Sequence, residues 1–372
     1  MSHARVCFLG SGNLGCLIAH SLRSLECPPP VSLLLRLRRS ARELADKGGV
    51  RVLRNGHGTL RDGIEFELSD RASVVSLLPG SKDVHVRKEH IGSMVVTTKA
   101  QQTASALLPF LPRLSRRSTI VVIQNGVGVL DELEQRVFPN PDTRPNIVLG
   151  VATHGVFTHD PFVVEHAGLG NIRLALVPRS ADVLPDVGRL LKDPETASAG
   201  QILRLLMQCT NLSCVSMTYQ ELFLTQLEKL VVNCVINPLT TVFDCTNGDL
   251  VNNASMSVIM NSIISEACAV LHTLPQVQQA SHLRFTTGRL RKLVVQAAHA
   301  TSKNVSSMRQ DALQRKTLEI DYINGYIVQQ GQDHGIAVPM NATLMEMTKA
   351  RACMARKTPI DRVPDFRTKR KL

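Results

Sequence analysis

The 372-residue chain is long enough for two domains with a substantial core, and 44% hydrophobic with 20% charged residues excludes a disordered polymer. A net charge of +12 admits a polynucleotide or an anionic membrane, but the basic residues gather in short clusters that small anions and a basic tail explain equally well. These are Arg36, Arg38 and Arg39; Arg113, Arg116 and Arg117; Arg289, Arg291 and Lys292; and Arg367, Lys369, Arg370 and Lys371.

Nine cysteines stand singly, with no CxxC pair and no metal-type Cys/His spacing. Reduced structural thiols are therefore expected, with neither a disulfide framework nor a metal. A strand opens within a few residues of Met1, and no apolar run is read as long enough to span a bilayer. The expectation is a cytosolic protein without a membrane or nucleic-acid partner, with an internal targeting signal, including a mitochondrial one, left open.

Arg5 to Leu9 reads as a short apolar strand, followed directly by Gly10-Ser11-Gly12-Asn13-Leu14-Gly15 and then a helix with Leu17, Ile18, Leu22 and Leu25 at periodic positions. Strand, glycine turn and helix together form a dinucleotide fingerprint, in which glycines let the backbone approach a pyrophosphate at a helix N-terminus. The second strand, Val31 to Leu35, ends in Arg36, Leu37, Arg38 and Arg39, with no Asp or Glu between Val31 and Arg42. An acid there would hold a ribose 2′-hydroxyl; a guanidinium can instead pair with a 2′-phosphate, which favours NADPH over NADH.

Glycine-punctuated segments from Gly48 to Asp70 read as hairpin material, and Ala72 to Leu78 as a further strand. Strands at Met94 to Thr98 and Ile120 to Ile123 end in Lys99-Ala-Gln-Gln102 and Gln124-Asn125-Gly126-Val-Gly128. The carboxyl edge of an open α/β sheet is where ligands sit, so Lys99, Gln102 and Asn125 are candidate cofactor or substrate contacts, with capping or turn formation as the alternative. Segments at Asn146 to His154, Phe162 to Glu165 and Asn171 to Val177 form another β group, in which His154 reads as a hydrogen-bonded structural residue. A helix from Gln201 and a short strand at Ser213 to Ser216 lead to a boundary near residue 217, beyond which the pattern is helical, with a basic tail at 357–372.

In the helical part, Lys229, Asn233 and Asn237 stand at i, i+4 and i+8, which puts one lysine and two amides along one helix face. Leu230, Val231, Val232, Val235 and Ile236 leave little polar surface elsewhere, so the three polar groups need partners. Pro238 removes a backbone donor and is expected to end the helix near Asn237, ahead of a turn at Asn247-Gly248. A buried amine beside ordered amides suits carbonyl chemistry; an amide ladder joining two helices is the structural alternative. Further helices are read at Ser255 to Leu271, His282 to Ala298 and Leu318 to Gln330, and Ser307 and Gln310 have capping-box spacing.

Four blocks in order along nearly the whole chain resemble the ketopantoate reductase family: GSGNLG, VVTTKAQQ, IQNGVG, and KLVVNCVINPLTTVFDCTNGDL with SSMRQDALQRKTLEIDYINGYI and HGIAVP. The resemblance implies an N-terminal Rossmann-type doubly wound α/β domain followed by an all-helical C-terminal domain, and NADPH-dependent reduction of ketopantoate to pantoate. It places Gly10, Ser11, Gly12, Asn13, Leu14 and Gly15 at the pyrophosphate, Arg36 at the 2′-phosphate, and Lys99, Gln102 and Asn125 by the cofactor or substrate. Lys229 becomes the proton donor, Asn233, Asn237, Asn247 and Ser307 surround the substrate, and Glu319 lies near the cofactor. Burial can lower a lysine from about 10.4 towards the working pH, and Glu319 could modulate that shift.

Extra sequence around Ser73 to His90, around Asp182 to Gly200 and after Arg351 resembles the longer fungal members. Two alternatives stand beside this reading: a reductase of another branched 2-oxo acid, and a non-catalytic NADP-binding regulator with a basic RNA- or complex-binding surface. The intact set of Lys229, Asn233, Asn237, Ser307 and Glu319 favours catalysis on a small 2-oxo acid, and the oligomeric state is left open, a homodimer included.

Overall fold

The computed structural model describes residues 4–70, 73–76, 85–86, 88–179 and 184–356. The basic tail at 357–372 and parts of the extra segments near 73–90 and 182–200 lie outside the described residues. Contacts divide the chain into two units, residues 1–125 with 129–225, and residues 126–128 with 226–372.

The first unit alternates strands and helices. In chain order these are β1 (Val6–Leu9), α1 (Asn13–Arg23), β2 (Val31–Leu35), α2 (Arg38–Lys47), β3 (Val50–Arg54), β4 (His57–Arg61), β5 (Ile64–Asp70), β6 (Ser73–Ser76), β7 (His85–Val86) and β8 (Ser93–Val96). After these come α3 (Ala100–Leu107), β9 (Thr119–Ile123), α4 (Val129–Arg136), β10 (Asn146–Ala152), β11 (Gly155–Asp160), β12 (Val163–Gly168), β13 (Ile172–Leu176), α5 (Val187–Lys192), α6 (Ala197–Gln208) and β14 (Cys214–Ser216). Ten strands form one sheet in the order β14-β13-β10-β9-β8-β1-β2-β5-β6-β7, and β11-β12-β3-β4 form a second.

From β10 through β9, β8, β1 and β2 to β5 the pairings are parallel. Every residue of β1, β2, β8 and β9 is buried, as befits strands covered on both faces, and this is why they read as continuous Val, Ile and Leu runs rather than as alternation. The chain leaves β1 in one direction to β2 and later returns on its other side at β8, so the strand order reverses at the carboxyl end of β1. An open crevice forms at such a point in doubly wound sheets.

The hairpin expected after Gly48 is β3 with β4, turned through Asn55 (φ 48°) and Gly56 (φ 80°), the pair of positive φ values a type I′ turn requires. The sequence reading passed over β11, whose burial does not alternate. His154 is structural: its Nδ1 lies 3.0 Å from His166 Nε2 and its Nε2 lies 3.0 Å from the Leu212 carbonyl.

The second unit holds α7 (Tyr219–Phe243) from Gln226 onward, with α8 (Ala254–Leu271), α9 (Pro275–Gln278), α10 (Thr287–Ala300), α11 (Ser307–Leu313), α12 (Asn324–Asp333) and α13 (Pro339–Arg356). Leu227, Leu230, Val231, Cys234, Val235, Ile236 and Leu239 are buried around α7, making it the core helix of the unit. Two expectations are corrected here. Helix α7 passes through Pro238 instead of ending at Asn237, because the one carbonyl that proline leaves without its helical donor, that of Cys234, accepts from Asn324 Nδ2 at 3.1 Å instead. And α8, 18 residues with mean hydropathy 1.5, is long and apolar enough to cross a bilayer. In this fold it packs on α10, α12 and α13, and its Glu266 carboxylate accepts from the backbone N–H groups of Met340 and Asn341 at 2.8 and 2.9 Å.

Candidate active site

The first set of candidate residues lies along one edge of the parallel sheet, because parallel strands deliver all their carboxyl ends to the same side. Gly10 and Gly15 are needed for packing: a Cβ on Gly10, at φ +111°, would come within 2.7 Å of the Thr97 and Thr98 backbone, and one on Gly15 within 2.1 Å of the Gly10 carbonyl. Gly12 differs, since among the described residues no atom beyond its immediate chain neighbours lies within 4 Å of the place its Cβ would take. It caps α1 and is exposed, and the first turn of α1 contains no acidic residue. Open space above a helix N-terminus with free dipole suits a pyrophosphate, so the residues present fit a dinucleotide.

Other members of the motif are partly committed to the fold. Asn13 Nδ2 donates to the Val156 carbonyl at 2.8 Å and its Oδ1 accepts from the Thr158 hydroxyl, which leaves its backbone N–H as what it can offer a phosphate. Leu14 packs on the core, and the Ser11 carbonyl accepts from Cys16 Sγ at 3.3 Å.

Arg36 is exposed immediately after β2, and Arg38 and Arg39 occupy the first turn of α2, which has no acidic residue. Cations at a helix N-terminus oppose the dipole and one another, a cost that a bound phosphate relieves. At the ends of β8 and β9, Gln124 Nε2 donates to the Thr98 carbonyl at 2.6 Å and also reaches the Thr103 hydroxyl, tying the two strand ends together. This bond fixes the loops that carry Lys99, partly buried at the N-cap of α3, and Asn125. Gln102 is exposed in the first turn of α3, its backbone N–H bonded to the Lys99 carbonyl at 2.9 Å.

The second set lies in the helical unit. Lys229 and Asn233 are partly buried and Asn237 is buried, all along α7. Burial among the apolar side chains pulls the Lys229 ammonium down to about 8, and the nearby Glu319 carboxylate pulls it back upward. The structure therefore brings Lys229 and Glu319 into each other's field, as the resemblance implied. Asn247 is buried and held by the end of α10: its Nδ2 donates to Thr301 Oγ1 at 2.9 Å and its backbone N–H to the Asn304 carbonyl at 3.1 Å, while Oδ1 has no partner among the described residues.

The cap of α11 falls one residue earlier than its spacing predicts. Ser306 accepts from the Arg309 N–H at 3.2 Å, whereas Ser307 is the exposed first helical residue. Ser307 is thus freed from capping and available to a ligand.

Comparison with known proteins decides the family. A model described as the C-terminal domain of ketopantoate reductase PanE/ApbA matches residues 221–352, and the corresponding ketopantoate reductase PanE/ApbA model matches residues 6–179. The chain is 32% identical over 347 residues to a protein of Schizosaccharomyces pombe named as a probable 2-dehydropantoate 2-reductase, covering 92% of this chain and 95% of that one. The chain belongs to the ketopantoate reductase family.

A 2-dehydropantoate 2-reductase of Saccharomyces cerevisiae is 30% identical over 296 residues, covering 74% of this chain and 77% of its own. A D-mandelate dehydrogenase solved with NADH and anilino(oxo)acetate has the same fold, with a TM-score of 0.75 at 19% identity over 95% of this chain and all of its own. The ketopantoate reductase fold thus spans the described part of both units, an α/β unit and a helical one.

Sequence reasoning missed several residues that tie the elements carrying these candidates together. Thr240 and Ser306 join α7 to α11, their hydroxyls 2.7 Å apart. Gln124 ties the ends of β8 and β9 through the Thr98 carbonyl, a role its sequence neighbourhood does not signal. Isolated Ser, Thr and Gln have no spacing signature, so only the folded contacts reveal them.

Proposed function

We propose that this chain reduces 2-dehydropantoate to pantoate with NADPH. The observation that carries the reading is the partly buried Lys229 amine, brought by burial to about 8 on a helix that also carries Asn233 and Asn237. In this proposal Gly10, Gly12 and Gly15 receive the pyrophosphate on backbone, Arg36 binds the 2′-phosphate, and Lys99, Gln102 and Asn125 meet the rest of the cofactor or the substrate. When bound, NADPH supplies the hydride to the carbonyl carbon.

Lys229 donates a hydrogen bond to the carbonyl oxygen. As negative charge grows there, its ammonium stabilises the charge and then transfers a proton, giving the alcohol and a neutral amine. Glu319 keeps enough of Lys229 protonated near neutral pH for that transfer. Asn233, Asn237, Asn247 and Ser307 hydrogen-bond the substrate's carboxylate and hydroxyl and hold the carbonyl in one orientation.

The test compares wild-type rates of NADPH oxidation with 2-dehydropantoate and with other branched or aryl 2-oxo acids. A kcat/KM highest for 2-dehydropantoate supports the reading, and a higher value for another 2-oxo acid reassigns the substrate.

A further inference from the structure

Helix α7 contains a hydrogen-bond defect at its functional face. In an α-helix the carbonyl of residue i accepts the N–H of residue i+4, so Pro238, which has no N–H, leaves the Cys234 carbonyl without its helical donor. The helix nevertheless runs on to Phe243. The missing donor is replaced from outside, by Asn324 Nδ2 at the start of α12, 3.1 Å from the Cys234 oxygen.

The orientation of the Asn324 amide is fixed by what lies behind it. Asn341 Nδ2 donates to the Ile263 carbonyl at 3.2 Å and to Glu266 Oε2 at 2.8 Å, so its amide nitrogen is committed and its Oδ1 faces Asn324 as an acceptor. Asn324 Nδ2 reaches that oxygen at 3.0 Å. One hydrogen of the Asn324 amide thus goes to Asn341 and the other to Cys234. Glu266 in turn accepts the Met340 and Asn341 backbone N–H groups at the N-terminus of α13. Asn324 and Asn341 are both fully buried, so no water competes for these bonds.

The repaired carbonyl belongs to the residue after Asn233, one turn beyond Lys229, and the proline follows Asn237 directly. We propose that Asn324 is a positioning residue for the reaction: through its bond to the Cys234 carbonyl it holds the turn of α7 that sets the direction of the Lys229 and Asn233 side chains relative to Asn237. The kinetic part of this inference rests on the function proposed above. The structural part, that Asn324 substitutes for the bond Pro238 removes, stands without it.

The experiment is a double-mutant cycle of Asn324→Ala and Pro238→Ala, since an alanine at position 238 returns a backbone N–H to the Cys234 carbonyl. In the wild-type background, Asn324→Ala is expected to lower kcat with 2-dehydropantoate about tenfold while leaving NADPH affinity, read by fluorescence titration, within about twofold. In the Pro238→Ala background the same substitution is expected to lose less than half as much on a logarithmic scale, and to depress Tm less. Unchanged kcat in a folded Asn324→Ala protein overturns the inference, as does an equal loss in both backgrounds. If Asn324→Ala alone does not fold, the double variant must fold; failure to do so also overturns it. If the wild type reduces no 2-oxo acid, the proposed function fails, and the Tm cycle alone then decides whether Asn324 and Pro238 are coupled.

Discussion

Ser306 Oγ lies 2.7 Å from Thr240 Oγ1, with both side chains buried. The Thr240 hydroxyl already donates to the Ile236 carbonyl at 2.7 Å, so Ser306 is the donor in this pair, while the same Ser306 oxygen accepts the Arg309 N–H. One side chain therefore caps α11 and fastens it to α7 just past Pro238, and the exposed Ser307 is delivered as a result.

Ser306 and Ser307 should separate cleanly on mutation. Ser306→Ala removes a cap and a buried hydrogen bond and is expected to cost about 1–2 kcal/mol of stability, seen in denaturant unfolding. Ser307→Ala is expected to leave stability within about 0.5 kcal/mol and to raise KM for the 2-oxo acid. A large stability loss at Ser307, or none at Ser306, contradicts the assignment of the cap.

The glycines of the first turn should separate too. Gly15→Ala drives a Cβ against the Gly10 carbonyl and is expected to lower Tm, whereas Gly12→Ala enters open space and should fold normally but bind NADPH poorly. Thermal melting beside cofactor titration distinguishes them, and NADPH binding by Gly12→Ala at wild-type strength argues against a pyrophosphate there.

For cofactor choice, Arg36→Ala is expected to weaken NADPH about ten- to a hundredfold, the loss of a charge-assisted bond to phosphate, and to change NADH little. Equal weakening of both cofactors in titration removes Arg36 from the 2′-phosphate.

Much of this site was legible because it depends on local pattern. The strand, glycine turn and helix from Arg5 to Leu25, the missing acid after β2, and the i, i+4, i+8 spacing of Lys229, Asn233 and Asn237 all lie within short windows. What stayed hidden is non-local. The N–H lost at Pro238 predicted a helix end, and only Asn324, far along the chain, shows why α7 continues. The hydropathy of α8 was underrated because its Ser and Asn residues interrupt the apolar run, although the helix remains apolar overall. The Ser307 cap was misplaced by one residue because Ser306 and Ser307 satisfy the same local preference, and the contact with Thr240 selects the first.

The Lys229 titration sets a pH dependence. As proton donor it must be charged, so kcat/KM for reduction is expected to fall as pH rises through about 8. Because burial holds the folded-state value below a lysine's ordinary 10.5, the unfolded chain binds more protons between about 8 and 10.5, and this group makes stability rise with pH across that window. Glu319→Gln removes the upward pull and should shift the alkaline limb of the activity profile to lower pH. A limb that stays in place in that variant means that another group titrates.

The central claim is that Lys229 donates the proton in a 2-oxo acid reduction, and NADPH oxidation with 2-dehydropantoate by wild type and Lys229→Ala tests it most directly. The account predicts turnover by the wild type and a loss in kcat of about 10²-fold or more in the variant, with NADPH binding retained. Turnover by Lys229→Ala near the wild-type rate, or none by the wild type with any 2-oxo acid, would contradict it.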